Sequence, residues 1–431
     1  CFNLGKPPLH HQNEIRMNKI TTLVLSVSAF VCVSAQQQMS LQDCELAFQK
    51  NNLQLLASQY NINMADADIL QAKIWELPQI SGYVNAINPE DKRVFDVGRA
   101  KGVEITQLIY LGGKKKNEIQ FAKSNKELAQ LQFSQLLVDL KTELRQTYYN
   151  LIYEQKKRTS IESQLKYMND LLSAYKTQTD KGNISLKDYV RLQSIVIQLN
   201  NDKIEINNNI LAFQQKMKVL TGTSQSISPE LSKAEENELL ISQPFGDQEI
   251  LKEKALANNA DYLYQLKLID NSKLFAQWQK SLNTPDLNLG AEYDQASGTF
   301  NNEINLKIGI PIPLWKVNKG NVERAKYAIQ QNEKNSEYQK LNLETQVESA
   351  YQTWKNQYDQ YFELKPVDTE NLNTVYNGII KNFRSGNVSL IDFTDFLESY
   401  RQTVLQIYEM KKQIMISAEE LNQLVQTKIF Y

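Results

Sequence analysis

One block of sequence occurs twice in this chain. Ala47-Phe48-Gln49-Lys50-Asn51-Asn52 returns as Ala255-Leu256-Ala257-Asn258-Asn259, with Asn51 and Asn258 207 positions apart. Pro78 and Pro285 share that offset. Further on, Asn117 to Lys123 returns as Asn321 to Lys326, with Ala122 and Ala325 spaced by 203. Gly182-Asn183-Ile184-Ser185-Leu186-Lys187-Asp188 returns as Gly386-Asn387-Val388-Ser389-Leu390-Ile391-Asp392, spaced by 204. Shared helical composition alone would not align Gly, Pro and Asp in one order at nearly one offset. Each copy is therefore one supersecondary unit, and the chain must pack two of them together.

Each copy reads alike. An amphipathic helix, about 41–75 and then 248–281, stops at Pro78 or Pro285, because proline disfavours helix in the residue before it. Two strand-like runs follow. In the second copy Leu287, Leu289, Ala291 and Tyr293 share one face, as do Ile304, Leu306, Ile308 and Ile310. The opposite faces carry Asn288, Glu292, Glu303, Asn305 and Lys307. Such alternation marks a strand with one apolar and one polar side. The first copy places strands at about 79–87 and 100–109, with loops at 88–98 and, in the second copy, 294–301. A long helix then runs from about Lys114 to Lys181, on the order of 100 Å at 1.5 Å per residue. Its mate runs from about Gly320 to Ser385, interrupted near Pro366. Gly182 and Gly386 fit tight reversals, since glycine accepts positive φ at no steric cost.

The returning helices are the most periodic part of the chain. Positions 189, 192, 196, 199, 203, 206, 210, 213, 217 and 220 are apolar except Lys203. Adding 204 gives Phe393, Phe396, Tyr400, Thr403, Ile407, Met410, Ile414, Ser417, Leu421 and Leu424. A mean spacing of 3.5 residues is a coiled-coil seam. The fold class is mainly α with a small β part: a duplicated unit of long coiled-coil helices plus four strands per chain. The boundaries are 1–35 for an upstream extension and export signal, 36–240 for the first repeat and 241–431 for the second. The two repeats form one structural unit.

Export is indicated near the start. Met17 and Lys19 precede an apolar run from Ile20 to Val33, which ends in Val33-Ser34-Ala35. That is the pattern of a secretory signal cleaved after Ala35; Cys1 to Arg16 then reads as an upstream extension. The run is shorter than the ~20 residues of a spanning helix. Ala29-Phe30-Val31 before Cys32 is too bulky for a lipoprotein site, so no lipid anchor is expected. The processed chain keeps Cys44 alone among cysteines and neither histidine, since His10 and His11 precede Met17. Triads and metal sites built on histidine are thereby excluded. Formal net charge is −1, which gives no footprint for nucleic acid. Gly112-Gly113-Lys114-Lys115-Lys116 lacks the spacing of a phosphate loop and reads as a basic helix start at a membrane or barrel boundary. The aromatics Tyr83, Tyr110, Tyr293, Phe300 and Trp315 lie in or near the strands, where interfacial belts and chance placement are both open. No cofactor, metal site or enzymatic constellation is expected.

Four strands cannot close a barrel, for which about eight is the usual minimum. Three chains would supply 12, and closure by three-fold symmetry is simple. At this point the layout resembles the outer-membrane efflux protein family, the TolC family, over about 40–425. Ile308-Gly309-Ile310-Pro311-Ile312-Pro313-Leu314-Trp315, followed by Gly320 to Ala325, resembles that family's passage from strand into long helix. Gly386 to Asp395 resembles its helix-tip turn. The resemblance implies a homotrimer sharing one 12-stranded barrel in outer-membrane lipid, with an α-helical tunnel across the periplasm. It implies a periplasmic adaptor and an inner-membrane pump as partners, and passive passage of substrate in efflux or type I secretion. It also implies that Asp392 and Asp395 ring the entrance, with Asp188 the repeat mate of Asp392. A carboxylate ring binds and selects cations, but a helix N-terminus equally favours negative charge; both readings stand. Phe383 falls where the family often has a gate-bonding tyrosine, and Val388 where it can have an arginine, so closure here rests on other contacts. The competing reading is a periplasmic or secreted coiled-coil structural protein, which has no need of two-faced hairpins.

Overall fold

The computed structural model describes residues 37–296, 300–315, 317–364 and 369–430. The export signal and Pro366 lie outside them. The first copy comprises β1 (Gln37–Met39), α1 (Leu41–Asn51), α2 (Leu53–Lys73), β2 (Gln79–Val84), β3 (Ala100–Ile109), α3 (Lys114–Asp180) and α4 (Leu186–Thr221). A link made of β4 (Ile227–Pro229) and α5 (Lys233–Ile241) leads to the second. That copy comprises α6 (Gln248–Asn258), α7 (Ala260–Ser281), β5 (Leu287–Ala296), β6 (Phe300–Gly309), α8 (Lys319–Leu364), α9 (Thr369–Arg384) and α10 (Leu390–Val425).

The helices expected at 41–75 and 248–281 are each two helices. Asn52 and Asn259, 207 positions apart, break them. Both adopt extended backbone and cap the helix that follows. Asn52 Oδ1 accepts the Leu55 N–H at 2.8 Å, while its Nδ2 donates to the Leu220 carbonyl at 2.9 Å. Asn259 Oδ1 accepts the Tyr262 N–H at 3.0 Å, and its Nδ2 donates to the Leu424 carbonyl at 3.0 Å. Each asparagine thus satisfies an orphan donor of one helix and an orphan acceptor of another. Leu220 and Leu424 end the return helices, which close in the left-handed region at Gly222 (φ +65°) and Gln426 (φ +52°). A Cβ at Gly222 would sit 2.6 Å from the Asn51 carbonyl oxygen, so the first junction needs glycine. In the second, Gln426 turns its side-chain oxygen onto the Ala260 N–H at 3.0 Å.

The four long strands form one sheet in the order β2-β3-β5-β6, antiparallel throughout. β3 and β5 join the copies from Ala100↔Ala296 to Ile109↔Leu287. Two boundaries differ from the sequence reading. β2 stops at Val84 rather than 87, and β5 and β6 extend into the expected 294–301 loop. A separate parallel pair, β1 with β4, was not foreseen, nor was α5.

The core lies where α3 meets both copies. Leu144, Tyr148, Tyr149, Leu151 and Tyr153 are at most 1% exposed. Tyr148 Oη donates to the Glu230 carbonyl (2.6 Å) and accepts the Glu230 N–H (3.0 Å), which pins the end of β4. Tyr153 Oη donates to Glu236 Oε1 at 2.7 Å, and Lys156 Nζ donates to Glu236 Oε2 at 2.6 Å, fixing α5 on the same helix. Burial alone would raise the Glu236 carboxyl, but Lys156, Lys411 and Tyr153 outweigh it and hold it below the usual range.

On α4 the seam lies where periodicity puts it: Leu192, Val196, Leu199, Ile206, Ile210, Met217 and Leu220 are buried. On α10 the expected register is only partly right. Phe396, Thr403, Ile407, Met410 and Leu424 are half-buried, while Leu397, Val404, Met415, Ala418 and Val425 are buried. The reason is that α10 packs against α3, α6, α8 and α9. Its covered arc is therefore wider than one seam and takes in polar groups, among them Arg401, which is ion-paired to Asp202 and Glu398.

Replacing Asn52 or Asn259 with Ala removes a cap and strands a carbonyl. Each change is expected to cost about 2 kcal/mol in detergent-solubilised unfolding. The double variant should lose the sum, because the two sites share no partner.

Candidate functional site: the two-faced sheet and the helix tips

Register fixes which side chains share each face of the sheet. Ile80 pairs with Ile105, Ile105 with Ala291, and Ala291 with Leu306. Val103, Tyr293 and Ile304 form the next row, and Leu289 with Ile308 another. The opposite face carries Glu104 against Glu292, then Asn305, with Asp294 against Glu303. In a soluble domain the apolar face would be covered. Here Ile304 is 79% exposed and Leu306 83%, whereas the Glu292 side chain is 17% exposed. The polar face is the more enclosed one.

That enclosed face is internally compensated. Glu104 and Glu292 lie directly opposite, a like-charge pairing that destabilises a sheet. Lys307 spans them, 3.3 Å from Glu104 and 2.9 Å from Glu292. The Tyr83 hydroxyl donates to Asp294, with its ring lying over Gly102, where an added Cβ would strike it. The edges β2 and β6 have no further strand partner among the described residues.

The sheet leads directly into the long helices. Gly112 and Gly113 both take positive φ, and Gly113 starts α3 in the left-handed region. Lys114, first in that helix, pairs at 2.7 Å with Asp286 just before β5. The basic run is thus a buttress between copies as well as a helix start.

At the far end, Gly182 and Gly386 both have φ +77°, with nothing within 4 Å of an added Cβ. The reversal needs glycine for its backbone, not for space. The site residues expected beside these turns fall into two groups. Asp188 and Asp392 belong to the helix caps. Ser185 Oγ donates to Asp188 Oδ2 at 2.7 Å and accepts the Asp188 N–H at 3.2 Å. Ser389 and Asp392 repeat the arrangement at the same distances. Asp395, one turn on, is exposed with Asp392. Phe383 stacks on the fully buried Phe393, with ring centroids 4.1 Å apart and planes 9° apart. Phe393 in turn meets Tyr167 edge-on, and Arg384 lies 4.9 Å over the Tyr167 ring. The sequence reading missed Ser185 and Ser389, although a serine three residues before an aspartate at both tips was a legible cap signal. It also missed the Arg384–Tyr167 contact, which no spacing rule announces.

A sheet with its apolar face outward and its charged face enclosed, carried on helical hairpins whose longest helix, α3, runs ~100 Å, defines a duplicated duct-type architecture. The family model for outer membrane efflux proteins matches twice, over residues 47–223 and 251–426. The chain belongs to the outer membrane efflux protein family. It is 23% identical over 278 residues to the cobalt-zinc-cadmium resistance protein CzcC of Cupriavidus metallidurans, a match covering 64% of this chain and 63% of that protein. This chain therefore spans less than two thirds of that relative's length. Solved structures share the fold. CusC, described in connection with transmembrane channel formation, aligns at TM-score 0.72 and 14% identity, over 89% of this chain and 91% of its own. The Campylobacter jejuni CmeC outer membrane channel aligns at 0.71 and 15%, over 89% and 85%.

Proposed function

We propose that this chain is the outer-membrane exit duct of a tripartite efflux or type I secretion system, acting passively as a homotrimer. The observation that carries the reading is the inverted sheet. Its apolar face suits lipid, its charged face suits a watery lumen, and its two free edges cannot remain unpaired in a bilayer. Three copies would join β2 of one to β6 of the next and make 12 strands. A second surface supports self-association. On α4, Val190, Ile197, Ile204 and Leu211 recur every seven residues on the side away from the buried seam, and each is 47–67% exposed. A repeated heptad of this kind is a helix–helix seam awaiting a partner. No helix among the described residues is long and apolar enough to cross a membrane.

In this reading the helix tips point into the periplasm toward an adaptor and an inner-membrane pump. Asp392 and Asp395 of three chains ring the entrance, with Asp188 beside them. Phe383 replaces a polar latch with an apolar stack on Phe393. The name of the Cupriavidus relative makes divalent metal cations the first cargo to test. The coiled-coil structural reading is weaker, because it leaves the exposed apolar sheet face unexplained.

Membrane fractionation with unboiled electrophoresis tests the duct directly. A trimer in the outer-membrane fraction is expected; a monomer in the soluble periplasmic fraction contradicts the proposal. Replacing Ile197 and Ile204 with Asp should convert that trimer to monomer several-fold more readily on mild heating. For the entrance, Asp395→Ala is the cleaner variant, because Asp392 also accepts a hydrogen bond from Ser389, the cap of α10. In a planar bilayer it should weaken block by multivalent cations several-fold. Unchanged block removes the carboxylate ring and leaves the duct intact.

A further inference from the structure

The two copies dock their short helices on their long ones through homologous positions, and the charges there are reversed. In the first copy Glu45 on α1 meets Arg145 (2.5 Å) and Lys141 (3.3 Å) on α3. The repeat offsets carry Glu45 to Lys252, Lys141 to Glu344 and Arg145 to Glu348. In the second copy Lys252 on α6 meets Glu348 at 3.1 Å on α8. All three positions have changed sign.

The apolar positions beside them have not changed character. Cys44 and its mate Leu251 are both fully buried, as are Leu144 and Val347. They would accept either partner. Size changes at two further positions. The first cluster holds Phe48 on the short helix and Leu151 on the long one. The second holds Ala255 and Trp354 at the same places. A short helix docked on the wrong copy would set Glu45 against Glu344 and Glu348, or Lys252 against Lys141 and Arg145.

We propose that this reversal is a recognition code. It directs α1 to α3 and α6 to α8, and rejects the exchanged pairings that the duplication otherwise permits. Stability is a poor alternative explanation for the second site. Glu348 is 54% exposed there, and an exposed pair contributes little by itself. Opposed like charges act by excluding wrong partners instead. The code works within a single chain, so it stands independently of the proposed duct.

The test is a variant whose sites are each matched but no longer different. K252E/E344K/E348R gives the second site the polarity of the first and leaves untouched Arg145, which also pairs at 3.0 Å with the buried Glu419 of α10. At equal expression, the yield of folded, trypsin-resistant chain should fall about threefold or more, roughly the discrimination of an exposed ion pair. The fraction that does fold should melt within about 3 °C of wild type, the cost of the like-charge neighbours it creates at Glu249 and Lys340. K252E alone, which is mismatched, should lose both yield and melting temperature. A triple variant with wild-type yield overturns the code. So does one whose folded fraction melts lower than that, since the reversal would then be a local stability feature only.

Discussion

A helix of 67 residues has no means of holding itself straight in water, and most of the fold follows from how α3 is supported. Helical propensity is a weak force, and a long helix persists because an apolar face is covered along its length. α3 is covered by α2 and α7 toward the sheet, by α4 from its own copy, and by α10 from the other. Its three buried tyrosines share one core with residues of α4 and α10, and two of them also anchor the inter-copy link through Glu230 and Glu236. The duplication is therefore not two independent domains side by side. The first copy's long helix is completed by the second copy's return helix. In its mate the described residues form α8 and α9.

Much of this was legible in the sequence, and the failures have physical reasons. Gly182 and Gly386 declared themselves because a reversal between two long periodic helices leaves few alternatives to positive φ. The strand faces were legible because alternation is strict in the second copy. Asn52 and Asn259 were not recognised as breaks, since asparagine fits inside an amphipathic pattern and its capping role depends on a carbonyl about 165 residues away. β1 and β4, at three residues each, are too short to show a period. α5 was missed although Ser232 and Glu235 form a capping box, a local signal that could have been used. The α10 register failed because a repeat offset transfers sequence position but not neighbours. α4 is buried mainly on one side and α10 on several.

The sheet inverts the usual relation between polarity and burial. Its carboxylates are drawn together under Lys307 and Tyr83, and its isoleucines and leucines face away. No single substitution creates that arrangement. It requires the register of all four strands, and β3 against β5 can form only once both copies are in place. The charge reversal between the docking sites bears on the same requirement. A short helix placed on the wrong hairpin would misplace the strand that follows it.

The central claim is that the apolar face meets lipid and the charged face meets water. Single cysteines at Asn305 and Leu306, neighbours on β6 pointing to opposite faces, test it in intact outer membranes with Cys44 replaced by Ser. A water-soluble, membrane-impermeant thiol reagent should label the Asn305→Cys variant and spare the Leu306→Cys variant until detergent is added. Equal labelling of both before detergent would contradict the account.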